Sequence, residues 1–238
     1  MSSNKVPPMR QVKQKLQAGK LVTVVGIAHA SPGLVEQVAQ NGFDVSLIDC
    51  EKYNFTTERI EDMARAGRAS GIATVVRPWL NEPGLISRCL DLGAEGIMMA
   101  GTDTVDAVQR LVDAVRYARY QDYADKLIVA MIESPEGVQR LPELLKVEGV
   151  DVWSIGANDM AQRMGLPGQT NDPRVQQLVD HAIKTIVAGG RTCGMQGTFG
   201  NASQRVAQGV RYLSTTLNLL LEQGADRFHK LLPQQSPV

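Results

Sequence analysis

The sequence predicts an α/β fold, an eight-stranded parallel (β/α)8 TIM barrel built as a single domain. Three observations predict it. Strand-length apolar runs rich in β-branched residues alternate with amphipathic helix patterns eight times, over mostly short connections. The runs are near-continuously apolar, as expected where a parallel sheet is covered on both faces. No linker-like change of composition divides the 238 residues, a length that suits one such barrel. A doubly wound open sheet is the alternative, but no glycine fingerprint follows the first strand.

The elements follow in order. After a polar opening, MRQVKQKLQAG reads as a short amphipathic helix ended by Gly19. LVTVVGI (21–27) is the first strand, and SPGLVEQVAQNG the helix after it, with Ser31 as cap and Gly42 as stop. DVSLIDC (44–50) precedes the helix TTERIEDMARAGRASG, and ATVVRP (73–78) precedes EPGLISRCLDLG, with Pro83 near its first turn. GIMMAG (96–101) leads to TVDAVQRLVDAVRYA, KLIVAMIE (126–133) to SPEGVQRLPELLKVEG, and DVWSIGA (151–157) to NDMAQRMG. The connection LPGQTNDP enters a strong helix, RVQQLVDHAIKTIVAGG. TCGMQGT (192–198) with NASQRVAQG and RYLSTTL (211–217) with NLLLEQGADRFHKLL complete the eight units. Residues 1–10 and 233–238 are expected to be flexible tails.

Composition excludes several function classes. Lys plus Arg and Asp plus Glu number 25 each, so no net field recruits nucleic acid or anionic lipid. No dense basic run with aromatics is present. No apolar stretch approaches a membrane span, and MSSNKVPPMR lacks the apolar core of a signal peptide. Cys50, Cys89 and Cys193 are odd in number, far apart and without zinc-ligand spacing, so they read as free thiols of a cytoplasmic protein.

In a parallel barrel, residues at the C-terminal strand ends share one rim. Reading them off gives His29, then Asp49, Glu51 and Lys52, then Arg77, Gly101, Glu133, Asp159, Gln196, and Thr216 with Asn218. Glu133 and Asp159 each close an apolar run and precede a helix start. Together they suggest a hard divalent cation held by few protein ligands, with positions left for substrate and water. Arg77, in VVRPW, offers a planar, always-charged fork suited to a small oxoacid; its other role would be a buried salt bridge to Glu51 or Glu133. Asn158 and Asp159 begin a helix whose free N–H groups could hold a carboxylate, or simply cap it.

These residues resemble a known family. The order RP, a Glu closing the fifth strand in IESPEGV, and then KVEGVDVWSIGANDMAQRMG is similar to the HpcH/HpaI family of class II pyruvate aldolases. GFDVSLIDCEKYN is similar to that family's second-strand motif, and DPRVQQLVDHAIKTIVAGG to its seventh-helix region. The likeness runs from about Gly42 to about Leu220. It implies a metal-dependent TIM barrel, a homo-oligomer (hexamer or trimer) with the last helix exchanged between neighbours. It implies Glu133 and Asp159 as ligands of Mg2+, Mn2+ or Co2+, and Arg77 as the oxoacid contact, with Ala157, Asn158 and Gln196 in the substrate site. The activity implied is a carbon–carbon lyase joining or cleaving a 2-oxoacid and an aldehyde.

The sequence also departs from that pattern. Lys52 stands where the family has a His partnered by the Asp of the second-strand motif, here Asp49; Ala100 stands for a Pro and Asn218 for an Asp. The family's insertion before the fifth strand is reduced to ARYQDYAD. The base for the aldol hydroxyl is thus open among Lys52, His29 and a water on the metal. Lys52 could serve as base if desolvated, but Asp49 and Glu51 beside it favour the ammonium; His29 carries the ring that titrates nearest neutrality. Decarboxylation of an oxaloacetate-type acid, which needs no imidazole base, is the alternative reaction. An oxoacid- or metal-binding protein without turnover is the non-enzymatic one.

Overall fold

A computed structural model describes residues 6–232. The eight strands are β1 (Val22–Ile27), β2 (Val45–Asp49), β3 (Ala73–Arg77), β4 (Gly96–Met99), β5 (Leu127–Ile132), β6 (Val152–Ile155), β7 (Cys193–Gln196) and β8 (Val210–Thr216). All pairs are parallel, neighbours follow chain order, and β8 returns to β1, so the barrel closes. Closure leaves no sheet edge.

The helices are α1 (Pro8–Gln17), α2 (Pro32–Gln40), α3 (Thr57–Ser70), α4 (Pro83–Asp91), α5 (Val105–Ala118), α6 (Pro135–Leu144), α7 (Ala157–Arg163), α8 (Pro173–Ala188), α9 (Ala202–Ala207) and α10 (Leu217–Lys230). Several starts carry the signals read from the sequence. Proline opens α2, α4, α6 and α8, where its missing N–H costs nothing. Ser134 Oγ accepts from the Gly137 N–H as the α6 cap. Ser31 sits at the cap position of α2 without making a side-chain bond.

Two apolar cores result. One fills the layer between strands and helices, with Ile48, Val76, Ile97, Ile132 and Trp153 facing outward from the barrel. The other fills the barrel interior with Val24, Leu47, Val75, Met98, Val129 and Met131, joined by Met9, Val12 and Leu16 from α1. That first helix is amphipathic, and its buried stripe completes the interior core. It starts at Pro8, inside the stretch 1–10 expected to be a tail, because Met9 is needed there; residues 1–5 and 233–238 lie outside the described residues. ARYQDYAD also holds a short 3-10 turn at Tyr123–Asp125, with the Arg116 guanidinium 5.5 Å from the centre of the Tyr123 ring.

Candidate active site

Alternation along each strand decides which side chains reach the mouth. Leu47, Val75 and Met131 belong to the barrel interior. The residues two further on, Asp49, Arg77 and Glu133, therefore share their face, one layer nearer the C-terminal rim. The β2–β3 register sets Asp49 directly beside Arg77.

Those two form a buried fork. Arg77 Nε donates to Asp49 Oδ1 at 2.8 Å and Nη2 to Oδ2 at 2.6 Å, with Arg77 only 9% exposed. Arg77 Nη1 lies 2.9 Å from Glu51 Oε2. The pair to Glu51 anticipated from the sequence is thus present, while Asp49 rather than Glu133 is the bidentate partner. Burial works against the guanidinium's charge, but Asp49, then Glu51 and Glu133, more than offset it and hold Arg77 above its ordinary range. Asp49 Oδ1 also accepts from the backbone N–H groups of Glu51 (3.2 Å) and Lys52 (3.3 Å). Asp49 is fully engaged and organises the turn that carries Lys52.

Glu133 is clamped by the turn after β4. Gly101 takes φ +65°, a left-handed conformation that favours glycine, and donates its N–H to Glu133 Oε2 at 2.7 Å. Thr102 bonds the Met131 carbonyl through its N–H (3.1 Å) and Oγ1 (2.8 Å). Asp103 Oδ1 accepts from the Glu133 N–H at 3.0 Å. The other oxygen, Oε1, is buried with no hydrogen-bond partner among the described residues. Gly156 faces it so closely that an added Cβ would stand 2.8 Å away. Burial raises the Glu133 carboxyl to about 7, with further upward push from Asp159 and Glu51; the Gly101 N–H and Arg77 oppose it.

Asp159 lies in the first turn of α7, whose cap position is Gly156, so it extends into the mouth and is not itself the cap. Lys52 Nζ is 3.3 Å from both of its oxygens. Asp49, Lys52, Arg77, Glu133, Ala157, Asn158, Asp159 and Gln196 all line one cavity of about 680 Å3. His29 is exposed and does not line it; β1 ends two residues earlier, at Ile27. Away from the acids the wall carries hydroxyls and amides, among them Thr170, Asn171, Thr198, Asn201 and Thr215, together with Met98, Met131, Met195 and Arg205. A second space of about 520 Å3 shares Glu133 and Asp159 and is bounded by Trp79, Leu80, Asn81 and Arg163.

A buried carboxylate with one oxygen unpartnered among the described residues, raised first by burial and then by two neighbouring acids, is a group that a cation would stabilise. The donor set therefore fits a hard divalent ion. Among the described residues no group of three or more His, Cys, Asp or Glu side chains could hold one by itself. Glu133 and Asp159 would supply two ligands, with other oxygens coming from substrate and water. Sequence reasoning did not single out Asp103, which orients Glu133 from a loop. The only available signal was an acid two residues after Gly101 in GTDT.

A model of the HpcH/HpaI aldolase/citrate lyase family matches residues 23–216. The chain is 24% identical over 233 residues to 2-keto-3-deoxy-L-rhamnonate aldolase of Escherichia coli O157:H7, covering 88% of this chain and 87% of that one. Among solved structures it is similar to the citrate synthase SbnG, at 26% identity and TM-score 0.81 over 92% of this chain and 98% of that one. The HpcH/HpaI aldolase from Desulfitobacterium hafniense DCB-2 shares the fold, with TM-score 0.83 at 22% identity over 95% and 99%.

Proposed function

The chain belongs to the HpcH/HpaI aldolase/citrate lyase family, and from that premise we propose that it is a metal-dependent carbon–carbon lyase, interconverting a 2-oxoacid plus an aldehyde with their aldol. The observation that carries this reading is the unpartnered, buried Glu133 oxygen beside Asp159, in one cavity with Arg77. Glu133 and Asp159 would hold a divalent cation, Mg2+, Mn2+ or Co2+, which when bound supplies stabilisation of negative charge on the oxoacid's keto oxygen.

The chain's own residues account for the remaining work. Of Arg77's five N–H groups Asp49 takes two, Glu51 pairs with Nη1 and Met131 Sδ accepts from Nη1 at 3.8 Å, which leaves one N–H on Nη2 for an oxoacid oxygen. The Asp49 clamp fixes the plane of that fork. Ala157, Asn158 and Gln196 line the same cavity and would orient the acid. The hydroxyl- and amide-bearing wall leaves room for the aldehyde. In the cleavage direction the aldol hydroxyl must lose a proton. Asp49 is held by Arg77 and two backbone N–H groups and His29 lies off the cavity, which leaves Lys52, as the neutral amine once it leaves Asp159, or a water for that step.

That last condition favours a second reading on the same site. Decarboxylation of an oxaloacetate-type acid forms a comparable enolate without taking a hydroxyl proton, so a lysine paired to Asp159 does not impede it. For the assembly we propose a homo-oligomer with α10 exchanged between subunits. In support, α10 has no buried residue and exposes Leu221 and Phe228. No helix of the described residues is long and apolar enough to cross a membrane. The three free, buried thiols support a reducing, cytoplasmic location.

The test is pyruvate formation from a panel of hydroxy-oxoacids and from oxaloacetate, after chelation and after restoring Mg2+, Mn2+ or Co2+. Metal-dependent release from an aldol, lost in Glu133→Gln and Asp159→Asn, supports the lyase. Release from oxaloacetate alone supports the second reading. Full activity in both variants would sink the assignment of the metal pair.

A further inference from the structure

Lys52 makes a contact that its place in the fold does not require. It follows β2, while Asp159 follows β6. In the closed order β1 to β8 these strands stand four positions apart, on opposite sides of the barrel. The Lys52–Asp159 pair therefore spans the mouth. Its root is fixed: the Lys52 and Glu51 N–H groups bond Asp49 Oδ1, and Asp49 is locked by Arg77. Its far end is not. The side chain is 46% exposed, and the ammonium sits symmetrically, 3.3 Å from each Asp159 oxygen. No other cation contacts Asp159 among the described residues, and none other than Arg77 pairs with Glu51.

We propose that Lys52 is a tethered cation that holds Asp159 in place of the divalent ion, so that the ion binds by displacing the ammonium and thereby frees Lys52 into the cavity. This rests on Glu133 and Asp159 being the metal pair, as proposed above. The physical basis is competition. Both cations need the same carboxylate oxygens, and a positive charge left at the mouth continues to repel the ion after displacement. Ion binding and the release of Lys52 are then one exchange equilibrium.

The test is Mn2+ affinity by calorimetric titration of the chelator-treated full chain, comparing wild type, Lys52→Gln and Lys52→Arg. Lys52→Gln should bind Mn2+ about tenfold or more tightly, the effect of removing a unit charge a few ångströms from a dication even when water screens it. Lys52→Arg, which keeps the charge, should stay close to wild type. Acylation of Lys52 by an amine-directed reagent should rise on adding Mn2+.

Equal or weaker Mn2+ binding by Lys52→Gln overturns the proposal while leaving the metal pair intact. Unchanged acylation of Lys52 on adding Mn2+ overturns it too, because the ion would then not displace the ammonium from Asp159. Absence of Mn2+ binding in both wild type and Lys52→Gln removes the metal pair, and this inference with it.

Discussion

Glu133 gives the sharpest quantitative prediction, made for the chelated protein. The residue is 4% exposed, and its carboxyl is raised from 4.5 to about 7 by burial and by Asp159 and Glu51. A raised carboxyl favours the folded state fully below the unfolded pKa, and that contribution is lost as pH climbs through the folded value. At about 1.36 kcal/mol for each pKa unit, ionising Glu133 in the folded chain costs about 3 kcal/mol by pH 8. For a chain of this size that is roughly 6–12 °C in melting temperature. Glu133→Gln removes the ionisation and keeps an acceptor for the Gly101 N–H.

Melting curves of the chelated proteins between pH 5 and 8 test this. Wild type should fall relative to Glu133→Gln as pH rises, with the difference growing through pH 7. Glu95 and Asp151 are also raised by burial, but they are common to both proteins and cancel in the comparison. Adding Mn2+ at pH 8 should raise wild type and not the variant. Parallel curves across the whole range would refute the argument, because Glu133 would then carry no uncompensated charge.

The other predictions concern its neighbours. Arg77→Met leaves Asp49 buried with only backbone donors, so it should cost about 3–5 kcal/mol in chemical denaturation; Asp49→Leu in the same chain should recover much of this. A loss below about 1 kcal/mol would mean that the fork is effectively solvated. Gly156→Ala places a Cβ 2.8 Å from Glu133 Oε1, and should weaken Mn2+ binding more than it lowers the melting temperature of the chelated protein. Burial raises the thiols of Cys50 and Cys193 to about 12 and of Cys89 to about 11, so a disulfide reagent at pH 8 should label them only after denaturation. Rapid labelling of the native chain would contradict that burial.

What could be read from the sequence follows a physical division. The barrel was legible because eight apolar runs are punctuated by Pro at helix starts and Gly at helix ends, and strand ends moved by only a residue or two: β1 begins at Val22 and not Leu21, and β7 ends at Gln196 and not Thr198. Once strands pair in chain order, period-2 alternation sends Asp49, Arg77 and Glu133 to one layer, which is why the sequence alone groups them. Groups placed by loops escaped that logic. His29 and Lys52 both lie just past a strand end, yet one falls outside the cavity and the other crosses its mouth, a difference set by how each loop turns.

The choice of Arg77's partner shows the same boundary. Glu51, Glu133 and Asp49 are all acids at neighbouring strand ends, and composition cannot rank them. The β2–β3 register ranks them by setting Asp49 directly opposite Arg77, where the fork can close with two short bonds. Glu133 is then left without a bidentate cation, held instead by the Gly101 N–H and oriented by Asp103. One register decision thus both neutralises Asp49 and leaves Glu133 in charge deficit beside Asp159. That deficit is the feature on which the metal reading, the pH dependence and the exchange of Lys52 all depend.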